Sequence, residues 1–89
     1  MNEVDRHLIH SFPKGQGEEI QVAVRKYKGR YYVDLRQWFE NEERKTFFPT
    51  KKGVMFPLEY ASELSKSAER VLKFSQKISA PKEKVLSPD

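Results

Sequence analysis

The sequence predicts an α+β domain in which four antiparallel strands are followed by one helix, ββββα. Three observations carry this. Residues 21–39, QVAVRKYKGRYYVDLRQWF, read as two alternating strands joined at Lys28-Gly29. Shorter strand-like runs flank them, set off by Pro13, Gly15 and Gly17 on one side and Pro49 and Gly53 on the other. Beyond Leu58 the apolar spacing changes from two to three and four, the period of a helix.

Taken in order, residues 1–6 read as a frayed lead and residues 7–12, HLIHSF, as the first strand. Strand two spans 18–27 and strand three 30–39. The polar run ENEER at 40–44 is a turn. Pro49 and Gly53 interrupt the next stretch, which predicts an irregular loop leading into a short fourth strand at 53–56. Ala61, Leu64, Ala68, Val71, Ser75 and Ile78 form one stripe of an amphipathic helix, with Pro57 in its first turn and Pro81 at or past its end. Residues 1–79 make one domain and residues 80–89, with two prolines, a flexible tail. This order leaves one sheet face for the helix and the other open.

A chain of 89 residues with 37% hydrophobic content builds one thin core, which dimerisation would enlarge. The net charge of +4 favours an anionic partner. Without cysteine there is no disulfide and no thiolate metal site. No apolar run approaches the roughly 20 residues of a membrane span. The polar start lacks a secretory core, so an intracellular protein is expected, in the cytoplasm or nucleoid of a bacterium or the nucleus of a eukaryote.

A two-residue loop at Lys28-Gly29 sets Tyr27 opposite Arg30, Arg25 opposite Tyr32, Ala23 opposite Asp34 and Gln21 opposite Arg36. One face then carries Gln21, Arg25, Tyr27, Arg30, Tyr32, Arg36 and Trp38. The other, a core face, carries Ile20, Val22, Val24, Tyr31, Val33, Leu35 and Phe39. Guanidinium groups neutralise phosphates and rings stack on unpaired bases, so the first face suits a single-stranded nucleic acid, DNA or RNA. Lys28, Lys45, Lys51 and Lys52 are further phosphate-contact candidates. Asp34 lies among the arginines as a partner for Arg25 or Arg36. The bland readings are a solvated outer face or a protein interface meeting an acidic partner, since interfaces are also rich in Tyr, Trp and Arg.

The run RKYKGRYYVDLRQWF followed by PTKKGVMFPLEYASEL resembles the DNA-binding domain of the PC4-like family, named for the eukaryotic transcriptional coactivator positive cofactor four and including small bacterial and phage members. The motif is an Arg-x-aromatic-Lys-Gly turn, an Asp-hydrophobic-Arg-x-aromatic-aromatic strand and a basic-Lys-Gly-hydrophobic strand before a helix. The resemblance implies a curved four-stranded antiparallel sheet with a C-terminal helix, a homodimer, and binding of single-stranded or melted DNA with little sequence preference. It places Arg25, Tyr27, Arg30, Arg36, Phe39 and Lys52 in or near the DNA groove. Strand alternation instead puts Phe39 on the core face, and a bulge near Trp38 would reconcile the two. The serine-rich acidic leader of the eukaryotic coactivator has no counterpart in these residues, so regulation through such a leader is not expected, and DNA binding is the safer carry-over from the resemblance.

No enzyme is expected. Glu40, Glu42 and Glu43 sit in a turn without a nucleophile, and no phosphate-binding glycine loop is present. His7 and His10, three apart on a strand, point to opposite faces, so neither a metal nor another cofactor is expected.

Overall fold

The structure, a computed structural model, describes residues 5–78. Four strands form one sheet: β1 (Arg6–Gly15), β2 (Glu18–Tyr27), β3 (Arg30–Asn41) and β4 (Thr46–Pro57). Their order in space is their order in sequence, and every neighbouring pair is antiparallel. A 3-10 turn (Leu58–Tyr60) and helix α1 (Ala61–Ile78) follow. The described residues fall into two compact units, the sheet through Glu59 and the helical segment from Tyr60. No helix among them is long and apolar enough to cross a membrane.

The central hairpin follows from its turn. Lys28 and Gly29 both have positive φ, 52° and 79°. That backbone twists with the same hand as the strands it joins, and glycine enters it without steric cost. The β3–β4 turn is held differently. Lys45 donates its backbone N–H to the Asn41 carbonyl at 2.7 Å, and Arg44 donates to Asn41 Oδ1 at 3.1 Å.

Both outer strands are longer than the sequence suggests. β1 starts at Arg6, which the sequence reading assigned to a frayed lead, and runs past Pro13. β4 has 12 residues where an irregular loop and a short strand were expected. Each is an edge strand, and an edge tolerates a proline that no neighbour asks to donate. The β3–β4 register slips between Arg36, opposite Gly53, and Trp38, opposite Pro49. Within the slip, Thr50 Oγ1 donates to the Gln37 carbonyl at 2.7 Å and accepts from the Lys52 N–H at 3.1 Å. One hydroxyl thus serves backbone groups that the bulge removes from the ladder. Gly53 closes it: a Cβ there would lie 2.7 Å from the Leu35 carbonyl oxygen and 2.8 Å from Arg36 Cβ.

The expected core face is only partly closed. Among the described residues, Ala23 and Val33 are the buried apolar side chains, and Gln21, Asp34 and Gln37 the buried polar ones. Ile20, Val22, Val24 and Leu35 are half-buried, while Tyr31 and Phe39 are exposed. A single sheet has no second layer of its own to bury them. The helix begins at Ala61, three residues later than Leu58, because the chain leaves Pro57 through the 3-10 turn. None of its residues is buried, and Val71, Leu72, Phe74 and Ile78 are exposed.

Candidate nucleic-acid interface

The β2–β3 register pairs Gln21 with Arg36, Ala23 with Asp34, Arg25 with Tyr32 and Tyr27 with Arg30, as the turn chemistry predicts. Directly paired residues share a face. The sheet therefore gathers Arg25, Tyr27, Arg30, Tyr32, Asp34, Arg36 and Trp38 on one side.

At the hairpin tip these side chains are open. Tyr27 is 59% exposed, and Lys28 and Arg30 are exposed beside it. Lys28 Nζ lies 5.4 Å from the Tyr27 ring centroid, and the Arg30 guanidinium carbon 5.8 Å from that of Tyr32. None of these cations forms an ion pair among the described residues. The opposite face carries one pair of the same kind, Lys26 over Tyr31 at 5.6 Å, so such pairing is not confined to the candidate side.

Farther along the same strands the charges hold one another. Asp34 is 2% exposed and takes Arg36 Nε on Oδ1 at 3.0 Å and Arg25 Nη1 near Oδ2 at 3.5 Å. It partners both arginines, where the sequence offered either. Arg36 also donates from Nη1 to the Thr50 carbonyl at 2.9 Å, which fastens it to the β4 bulge. Its side chain is 19% exposed against 46% for Arg25. Arg25 can reach outward, while Arg36 is already committed on two sides.

Arg6 is the residue that sequence reasoning missed. The first strand extends back by one position and sets Arg6 opposite Arg25, a pairing that no local sequence pattern signals. Its guanidinium lies 4.6 Å from the Trp38 ring centroid, and Nη2 donates to Gln21 Oε1 at 2.5 Å. Gln21 in turn donates to Glu19 Oε2 at 2.6 Å. Burial pulls the Arg6 guanidinium below its ordinary range; Asp34 opposes that shift and Arg25 adds to it. The face of Trp38 proposed for base stacking is thus covered by a cation. Arg6 Nε and Trp38 Nε1 are both buried and find no acceptor among the described residues.

Phe39 does not join this group. The β2–β3 register runs unbroken through Trp38 and Phe39, opposite Glu19 and Glu18. The bulge near Trp38 exists, but it lies in β4 and leaves the alternation of β3 intact. Phe39 stays on the other face, its ring 6.0 Å from Phe48. Lys51 and Lys52 are exposed in the bulge that also holds Arg36, and Lys45 is exposed in the next turn at φ 60°.

His7 and His10 share a face of β1, contrary to the strand alternation expected. β1 slips between Leu8 and His10, so His7 pairs with Val24 and His10 with Val22, on one face and not two. The extra residue at the bulge reverses the alternation. Among the described residues no group of three or more His, Cys, Asp or Glu could hold a metal ion.

Comparison with known proteins agrees with this architecture. The family described as Transcriptional Coactivator p15 (PC4) matches residues 14–67. A bacteriophage T5 homologue of the eukaryotic coactivator PC4, implicated in recombination-dependent DNA replication, is similar at 30% identity and TM-score 0.64, over 81% of this chain and 82% of that one. A PC4 homologue from Burkholderia pseudomallei shares the fold in two crystal forms. The orthorhombic form gives 22% identity and TM-score 0.68 over 80% of this chain and 95% of that one. The tetragonal form gives 24% and 0.66 over 74% and 96%. No curated protein matches the chain. The family match spans β2, β3, β4 and the start of α1, the elements that build the basic and aromatic face, and the chain belongs to the PC4 family of non-catalytic, nucleic-acid-binding domains.

Proposed function

We propose that this protein is a non-enzymatic, homodimeric single-stranded DNA-binding protein, largely indifferent to sequence, acting inside the cell in replication, repair or transcription. The observation that carries the reading is the hairpin tip, where Tyr27 and Arg30 stand exposed on one face, Lys28 lies exposed beside the Tyr27 ring, and neither cation has an acidic partner among the described residues. Cations there meet phosphates, and the rings meet unpaired bases. Lys51 and Lys52 add mobile charges suited to backbone contact. The face is poor in the exposed Asn and Gln that read adenine, which favours sequence tolerance. The dimer is supported by the exposed apolar stripe of α1 and by a core too thin for a lone chain. A two-fold axis would double the contacted length of strand.

The test is a titration of oligo(dT), a matched duplex and a matched RNA at several salt concentrations. Neutralising about four to six phosphates gives a log-log salt slope of about −3 to −4 on a single strand. Single-stranded DNA should bind more tightly than the duplex. RNA binding as tightly as DNA would move the reading to single strands of either sugar. A flat salt response, or preference for one short sequence, would refute it.

A further inference from the structure

The C-terminal half of α1 carries a charged face that the sheet site does not use. Lys66, Arg70, Lys73 and Lys77 recur at spacings of four, three and four, which sets them in one line along the helix. Each stands two positions from Ala68, Val71 or Ser75 of the apolar stripe, a rotation of about 200° at 3.6 residues per turn. The basic line and the apolar stripe therefore occupy opposite sides of the helix. A dimer built on the stripe would leave the line open. The line extends about 16 Å at 1.5 Å per residue.

Lys66 is partly neutralised by Glu63 at 3.6 Å. Arg70, Lys73 and Lys77 meet no carboxylate among the described residues, and α1 has no acidic residue after Glu69. A helix face that serves solvation alone tends to alternate in sign. Lys77 also complements the helix dipole, but that effect is confined to the last turn and does not account for Arg70 or Lys73.

Phe74 supplies the second observation. It is 61% exposed and lies at the border of the line, four residues after Arg70 and three before Lys77. Arg70, Lys73, Phe74 and Lys77 line a shallow open groove. A bare row of cations would suit any polyanion. An exposed ring set among cations repeats the chemistry of Tyr27 with Lys28, and it suits a strand whose bases are unpaired. All four residues lie beyond residues 14–67, the span matched to the family.

We propose that Arg70, Lys73, Phe74 and Lys77 form a second contact surface for single-stranded nucleic acid, with phosphates on the cations and a base on the ring. This rests on the single-strand reading above and extends it from the sheet to the helix. The strand length occupied per chain then exceeds what the sheet face alone accounts for.

The test compares the parent with Arg70→Gln/Lys73→Gln/Lys77→Gln on oligo(dT) of about 10 and about 40 nucleotides, lengths that bracket common single-strand site sizes. The triple variant should bind the short strand like the parent. On the long strand it should lose about tenfold in affinity, with the salt slope reduced by about 2 for three lost phosphates. Photocrosslinking of the parent to bromodeoxyuridine-substituted long strand should label the peptide bearing Phe74, which decides the matter if the variant misfolds. Unchanged long-strand affinity and slope, with no label on that peptide, would overturn the proposal. So would binding to phosphatidylserine vesicles that needs the three cations while the long strand is unaffected; the face would then belong to a membrane surface. A parent that binds no single strand of either length would instead refute the function itself.

Discussion

The hairpin tip and the middle of the same sheet face are built from the same residue types and use them differently. At the tip, Tyr27, Lys28 and Arg30 are exposed, and among the described residues no carboxylate restrains the two cations. In the middle, Asp34 draws in Arg25 and Arg36, Arg6 lies over Trp38, and Thr50 ties Arg36 to β4. A guanidinium already bonded to a buried carboxylate gains less from a phosphate than one that is free. The comparison teaches that counting arginines on a face overstates its binding capacity. The middle ties its charges to one another, and the tip leaves its cations exposed.

If the division is real, substitutions in the middle should be read in stability and those at the tip in affinity. Asp34→Asn should have the largest effect. It removes a buried charge between two arginines, and losing one partner of such a group costs about 3 kcal/mol or more, visible as a lower urea midpoint. Gly53→Ala forces a Cβ against the Leu35 carbonyl and Arg36. Overpacking of that kind costs about 1–3 kcal/mol, and thermal melting should report it. Arg30→Gln is the mild counterpart. Stability should stay within about 0.5 kcal/mol, while the salt slope on oligo(dT) falls by about 0.7 for one lost phosphate contact. An Asp34→Asn protein as stable as the parent, or an Arg30→Gln protein that unfolds more readily, would blur the two regions into one.

The part of the fold legible in the sequence is the part ruled by local chemistry. Lys28-Gly29 names its turn type, and the turn then dictates every β2–β3 pair. The three-four stripe likewise announces α1. What stayed hidden depends on neighbours. Pro49 and Gly53 look like strand breakers until β4 is known to be an edge with a bulge that Thr50 repairs. The slip at Ile9 cannot be read from HLIHSF, where apolar and polar residues do not alternate, so His7 and His10 were assigned to opposite faces. Arg6 was missed because one charged residue beyond an apolar run reads as a lead; only its place opposite Arg25 gives it a role. The placement of Phe39 turned on which strand carries the bulge, which no local pattern records.

The most direct test of the hairpin tip is oligo(dT) affinity of Tyr27→Ala beside the parent, across salt, with circular dichroism and sedimentation confirming that both have the same fold and oligomeric state. Tyr27 is exposed at the turn, so its removal should leave stability within about 0.5 kcal/mol. Affinity should fall by about 1–3 kcal/mol, the worth of one base stacked on a ring, while the salt slope holds because no charge is lost. A Tyr27→Ala protein that remains folded and binds oligo(dT) as tightly as the parent would contradict the account and give the exposed aromatic face to a protein partner.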